Sequence, residues 1–231
     1  MVRSPSSARH CPHHPALLGA QVAGVASTIN FLLNADAIAD LLIAERASVL
    51  VIPAEAADAA LWQKAVAVID RVPSLQRILV ICGKGDPGCG FASFEKSAAA
   101  QQYTLDFALT ADRDTVCALF HTGGTTGRPK VVRLTHGNQI HAAWSFAQVH
   151  GLDERDAAIN GFPLFHVGGT VTVGLSVLAA GGHVIIPSDL QFAASVRHPK
   201  LLADRRAIRG DHRLRRAHVH RGACRGADRG Q

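Results

Sequence analysis

Nine consecutive residues, Thr122-Gly123-Gly124-Thr125-Thr126-Gly127-Arg128-Pro129-Lys130, combine the groups that grip a polyphosphate. Glycines at 123, 124 and 127 admit positive φ and let backbone N–H groups approach an anion closely. Thr122, Thr125 and Thr126 add hydroxyl donors, and Lys130 adds an ammonium. The expected cargo is a nucleoside triphosphate. A phosphate loop of the G-x-x-x-x-G-K-[ST] kind is excluded, because there the lysine follows the last glycine directly and a helix begins at once. Here Arg128-Pro129 intervenes before Lys130, and Val131-Val132-Arg133-Leu134 reads as a strand. Val116-Cys117-Ala118-Leu119-Phe120 reads as a strand leading in, so the loop is expected to join two strands and to hold phosphate without a helix dipole. The bland alternative is a Gly/Thr-rich turn with no ligand.

A second constellation is Gly161-Phe162-Pro163-Leu164-Phe165-His166-Val167-Gly168-Gly169. From residue types alone His166 fits a core histidine between apolar neighbours. The other histidines and the cysteines at 11, 82, 89, 117 and 224 show no metal-ligand spacing and no C-x-x-C pair. No metal site and no stable disulfide is expected, which suits a reducing cytoplasm. His121 reads as a packing or loop-orienting residue. His136 and Asn138 read as structural, at the start of a helix capped by Thr135 with an apolar face through Ile140, Trp144 and Ala147.

Taken together, the run Leu119 to Lys130 resembles the phosphate-loop signature of the adenylate-forming enzymes, which include acyl-CoA synthetases, luciferases and peptide-synthetase adenylation domains. The Pro163-Leu164-Phe165-His166 stretch resembles the acyl-pocket motif of the acyl-CoA synthetases and follows in the same order. The similarity extends from about Ala16 to about Phe192. The resemblance implies that Thr122, Thr125 and Thr126 contact β/γ-phosphate oxygens, that Gly123, Gly124 and Gly127 allow backbone approach, that Lys130 adds charge, and that Phe165, His166 and Gly168 border the acyl group. It implies ATP, magnesium and coenzyme A as cofactors and a small carboxylic acid as substrate. Members of the family also carry a Tyr-Gly-x-Thr-Glu motif, a ribose-binding aspartate, a hinge and a C-terminal domain with a catalytic lysine, none of which can be matched here. No catalytic residue is therefore assigned, and the chain is expected to be a fragment that is inactive alone. The alternatives are a non-catalytic nucleotide-binding protein and a basic nucleic-acid binder.

The elements that must position these groups alternate. Asn34 is a helix N-cap for a helix with Ile38, Leu41 and Leu42 on one face. A buried strand follows at Val49-Leu50-Val51-Ile52, then a helix carrying Leu61, Ala65, Val68 and Ile69, and a strand over Arg77–Cys82. Past the second motif, Val171–Ala180 reads as a helix stopped by Gly181-Gly182, and His183–Ile186 as a strand. This is the α/β class, a partial adenylate-forming large domain with a mostly parallel sheet and helices on both faces.

Residues 1–15 are expected to be irregular, 16–196 to form the partial adenylation domain, and 197–231 a disordered or irregular basic tail. That tail holds eleven basic residues against three aspartates, a balance of +8, which leaves 13 basic against 15 acidic residues, or −2, for the rest. The pI near 9.4 thus describes the tail and not the body. Its Arg/His/Ala/Gly mixture matches an out-of-frame reading of GC-rich coding DNA. An RNA- or acid-binding arm is the other reading, although the tail lacks the interleaved aromatics that such an arm uses, so nucleic acid is not the expected partner. With 48% hydrophobic residues and no apolar run of membrane-spanning length, the body reads as globular, without a transmembrane helix or a secretory signal. The sequence leaves oligomeric state and acyl substrate open.

Overall fold

The computed structural model describes residues 13–81, 83, 90–122, 130–186 and 216–219. These fall into two compact units, one made of the chain up to residue 112 with 116–133, the other of 113–115 with the chain from 134 onward.

In the first unit, α1 (His13–Ala23) precedes β1 (Ala26–Thr28), and β1 pairs in parallel with β5 (Val116–Thr122), with Ala26 opposite Ala118. The other neighbour of β5 is β6 (Lys130–Thr135), whose last two residues already belong to the second unit. A separate parallel sheet runs β2 (Val49–Pro53), β3 (Arg77–Ile81) and β4 (Phe91–Ser93), with Val49 opposite Arg77 and Ile78 opposite Phe91. Parallel strands require crossovers, and α2 (Ala35–Ala44) and α3 (Ala59–Ile69) supply helices where the apolar spacing expects them, with α4 (Phe94–Ala99) after β4.

Capping fixes where these helices start. The Asn34 carboxamide oxygen accepts from the Ala37 N–H at 2.8 Å, and the Asp58 carboxylate from the Leu61 N–H at 2.9 Å. At the end of α2 the chain turns through Arg46 at φ 53°, with the Arg46 N–H on the Ile43 carbonyl and the Ala47 N–H on the Leu42 carbonyl. A glycine is the usual occupant of that left-handed position.

Ile38, Ala39 and Leu42 of α2 pack on Val68 and Val72, while Ile52, Ala65, Ile78 and Val80 form a second cluster. Full burial of each large aliphatic side chain contributes about 1.5–3 kcal/mol. β2 departs from the expectation of a wholly buried strand. Leu50 and Ile52 face these clusters, whereas Val49 and Val51 remain 49% and 39% exposed. The cause is the pleat, which turns alternate residues away from the covering helices, and the central strand β3 alternates in the same way.

In the second unit, α5 (His136–His150) leads to β7 (Asp156–Ile159), which is buried along its whole length and flanked in parallel by β8 (His183–Ile185) and β9 (Arg216–Val219). Between β7 and β8 lie a π-helical segment, Gly168–Leu175, and α6 (Ser176–Ala179). The helix ends as expected at Gly181, φ +79°, with the Gly181 N–H on the Leu178 carbonyl and the Gly182 N–H on the Val177 carbonyl. Within the basic tail, residues 216–219 are the described part, and they pair with β7.

Thr135 caps α5 as expected, and the arrangement is reciprocal. The Asn138 N–H bonds to the Thr135 hydroxyl at 3.1 Å and the Thr135 N–H to the Asn138 carboxamide at 3.0 Å. The expected apolar face of α5 needs correction. Ile140 and Trp144 are 64% and 60% exposed, and the buried stripe is Gln139, Ala143 and Ala147. The alanines at i and i+4 let the helix approach its neighbours closely, and Phe146 packs on the cluster of Ala158, Val173 and Val177.

Candidate functional site

The Gly/Thr-rich run is anchored at both ends by neighbouring strands of one sheet. Thr122 is the last residue of β5 and Lys130 the first of β6. The Thr122 hydroxyl lies 3.5 Å from the Lys130 carbonyl, and both residues are exposed. The β-branched flanks identified the two strands, and the loop does join them. Its interior, Gly123, Gly124, Thr125, Thr126, Gly127 and the intervening Arg128-Pro129, lies outside the described residues.

One residue before the loop, His121 accepts from the Asn30 N–H at 3.3 Å, which ties the end of β5 to the segment after β1. That bond agrees with a loop-orienting role. Because a backbone N–H can only donate, Nε2 of His121 is the acceptor and the neutral ring carries its proton on Nδ1.

The second motif forms a tight turn at the end of β7. Asn160, 1% exposed, makes three hydrogen bonds there. Its N–H donates to the Ile185 carbonyl at 2.9 Å, its Nδ2 to the Gly169 carbonyl at 2.7 Å, and its Oδ1 accepts from the Phe162 N–H at 3.2 Å. The His166 N–H reaches the Pro163 carbonyl at 3.0 Å, and the Gly169 and Thr170 N–H groups converge on the His166 carbonyl at 3.0 and 3.1 Å. Thr170, also 1% exposed, donates its hydroxyl to the Leu164 carbonyl.

Leu164 is buried, as are the glycines at the motif's two ends, Gly161 and Gly169, while Phe165 is half-buried and His166 is exposed. His166 is not a core histidine. Its Nδ1 accepts from the Gly168 N–H at 3.0 Å. Gly168 is half-buried beside the ring, and the tighter glycine is its neighbour. A Cβ on Gly169 would sit 2.4 Å from the Pro163 carbonyl oxygen. Asn160 and Thr170 escaped the sequence reading, and Gly169 was read only as the end of the motif. The available signal was a lone uncharged polar residue, Asn160, inside an apolar stretch, where burial demands backbone partners.

Thr122 and Lys130 belong to the first unit, Phe165, His166 and Gly168 to the second. A cavity of about 400 Å³ in the second unit is lined by Arg113, Asp114, Thr135, Gly137, Asn138 and His141. None of the motif residues lines it, and Thr135 and Asn138 are already engaged with each other as the cap of α5. Among the described residues no group of three or more His, Cys, Asp or Glu could hold a metal ion, and Cys117 is buried. No helix among the described residues is long and apolar enough to cross a membrane.

The profile of the AMP-binding enzyme family matches residues 8–206. The chain belongs to this family. Among its curated relatives, the marinolic acid–CoA ligase of Pseudoalteromonas sp. is 27% identical over 193 residues, 81% of this chain and 29% of that protein. The oxalate–CoA ligase of Arabidopsis thaliana is 41% identical over 85 residues, 36% of this chain and 16% of that protein. Among solved structures, the anthranilate CoA ligase AuaEII in complex with anthranoyl-AMP is similar with a TM-score of 0.66 and 27% identity, over 75% of this chain and 32% of that one. The chain thus spans about a third or less of the length of these relatives. The α/β class expected for an AMP-binding enzyme is the observed one.

Proposed function

We propose that this chain carries the triphosphate-gripping loop and the acyl-pocket turn of an ATP-dependent acid–coenzyme A ligase. The reading rests on one observation: an exposed threonine hydroxyl and an exposed lysine, Thr122 and Lys130, bracket a Gly/Thr-rich loop between adjacent strand ends. That donor chemistry fits an oligophosphate, which needs several N–H and O–H donors and a cation around non-bridging oxygens. Kinship with CoA ligases supplies the reaction.

In such a ligase a carboxylate oxygen attacks the α-phosphorus of ATP. The new P–O bond forms as the bond to the bridging oxygen breaks, and pyrophosphate leaves with that electron pair. The coenzyme A thiol then attacks the acyl carbonyl, giving up its proton, and AMP departs. Chemistry of this kind depends on placing the reactants in line and neutralising charge on the departing phosphates. Lys130 and Thr122, with Gly123 to Gly127 and the hydroxyls of Thr125 and Thr126, would hold the β- and γ-phosphates. Phe165, His166 and Gly168 would border the acid. Magnesium would arrive as the nucleotide's own counter-ion, and no residue here is assigned to it.

By itself the chain binds nucleotide and turns over no acid, because the ribose-binding aspartate and the magnesium-holding glutamate of the family have no counterpart in it. Titration with a fluorescent ATP analogue, alongside a pyrophosphate-release assay with a panel of carboxylic acids, tests both statements. Lys130→Ala is expected to weaken nucleotide binding by about 10- to 100-fold, the loss of one charge-assisted hydrogen bond. Unchanged affinity in that variant would remove the basis of the proposal, and pyrophosphate release by the chain alone would overturn its second half.

A further inference from the structure

The first turn of the π-helical segment begins without a side-chain cap, since Val167 at its N-terminus provides none. Its orphan N–H groups need acceptors. The imidazole of His166 supplies one, taking the Gly168 N–H on Nδ1 at 3.0 Å. A backbone N–H can only donate, so Nδ1 must present a lone pair and the proton of the neutral ring sits on Nε2. The bond depends on where the Gly168–Thr170 turn lies relative to residues 162–166, and two fully buried side chains set that. The Asn160 carboxamide holds the Gly169 carbonyl at 2.7 Å and the Phe162 N–H at 3.2 Å, and the Thr170 hydroxyl holds the Leu164 carbonyl. Glycine at 168 leaves room for the ring, because a Cβ there would stand 3.1 Å from Nδ1.

We infer that Asn160 is a positioning residue that locks His166 in its Nε2–H tautomer, so that the exposed ring offers a hydrogen-bond donor and not an acceptor. Asn160 touches no reactant itself. It acts through the Gly169 carbonyl and the Phe162 amide, the two sides of the turn whose closure brings the Gly168 N–H onto the ring. The tautomer lock follows from this geometry alone. Its functional meaning, that a donor faces the oxygen atoms of the acid or its adenylate, rests on the ligase reading.

The test is long-range ¹H–¹⁵N correlation of the imidazole nitrogens in the full chain labelled with ¹⁵N-histidine, at mildly alkaline pH. The His166 signals are assigned by their disappearance in His166→Gln. In the unsubstituted protein His166 is expected as the Nε2–H form, with Nδ1 unprotonated. In Asn160→Asp, which keeps the acceptor for Phe162 and replaces the donor to Gly169 by a repelling oxygen, the tautomer ratio falls by roughly fivefold, the factor that one backbone hydrogen bond supports. Ser176→Ala, which removes a buried hydroxyl bonded to the Thr172 carbonyl further along the same helix, leaves the ratio in place. If Asn160→Asp does not fold, Thr170→Val carries the same expectation, because it removes the other tie across the turn.

A predominant Nδ1–H form in the unsubstituted protein, or an unchanged ratio in a folded Asn160→Asp or Thr170→Val chain, overturns the inference. Either result leaves the nucleotide titration untouched, just as a failed titration leaves the tautomer ratio untouched, so the two claims fail separately.

Discussion

Gly169→Ala examines how tightly the turn from Phe162 to Thr170 is built. An added Cβ would lie 2.4 Å from the Pro163 carbonyl oxygen and 2.9 Å from that of Phe162, against a 3.0 Å limit that real Cβ contacts essentially never cross. Both obstacles are backbone, so no side-chain rotation relieves them, and the helix start must move away by about 0.6 Å or more (2.4 against 3.0 Å). That shift strains the packing by about 1–3 kcal/mol and stretches the buried bond from Asn160 to the Gly169 carbonyl, where a lost partner costs about 1–3 kcal/mol. Partial relaxation brings the expected total to about 2–4 kcal/mol, a fall in the folded-to-unfolded ratio of roughly 30- to 1000-fold. Urea unfolding is followed by circular dichroism. Gly19→Ala in α1, where an added Cβ meets nothing within 4 Å, should instead raise stability by about 0.5–1 kcal/mol through helix propensity. A Gly169→Ala chain with an unchanged urea midpoint would refute the reasoning.

Two further predictions concern charge and burial. Burial raises the Glu45 carboxyl above its ordinary value of 4.5, and the Ser27 hydroxyl offsets this only in part. A carboxyl that binds protons more tightly folded than unfolded lends stability below about pH 4.5, and that stability is lost as pH rises through the raised folded value. Glu45→Gln should therefore flatten the pH dependence of thermal unfolding on that side and raise the melting temperature near neutrality. An unaltered profile would count against it. Trp144→Ser should cost less than about 0.5 kcal/mol in urea unfolding read by circular dichroism, because the indole is 60% exposed, whereas a core tryptophan would cost about 3–5.

Local chemistry made the secondary structure around both motifs legible in advance. Asn34 and Thr135 betray helix starts because a short polar side chain accepts an orphan N–H, and each does so here. The β-branched residues around the glycines indicate strands, and β5 and β6 end and begin at Thr122 and Lys130. Other features depend on long-range packing that hydrophobicity does not encode. α5 turns Gln139, Ala143 and Ala147 inward, packs Phe146 on the cluster of Ala158, Val173 and Val177, and leaves Ile140 and Trp144 in solvent. Val49 and Val51 show the same failure, because an all-apolar strand does not say which of its faces will be covered. Asn160 and Thr170 read as ordinary polar residues until the turn they bind is in place. Arg46 occupies a left-handed position with no sequence signal at all, at the cost of backbone strain that glycine would avoid.

The proposed roles of the two motifs ask different things of them. Thr122 and Lys130, at either end of the Gly/Thr-rich run, belong to β5 and β6, and the Asn30 N–H bonds to His121 beside Thr122. In the proposed role the run's amides, hydroxyls and ammonium would grip phosphate oxygens through charge. The turn from Asn160 to Thr170 is tied by converging backbone bonds on His166 and by two buried side chains, with no space for a side chain at Gly169. Selection among carboxylic acids needs groups whose positions do not adapt, because a site that adjusts to each acid discriminates poorly. On the proposed ligase reading, substitutions at Asn160 or Gly169 should thus change which acids bind in equilibrium titrations, while substitutions at Lys130 should weaken ATP binding whatever the acid.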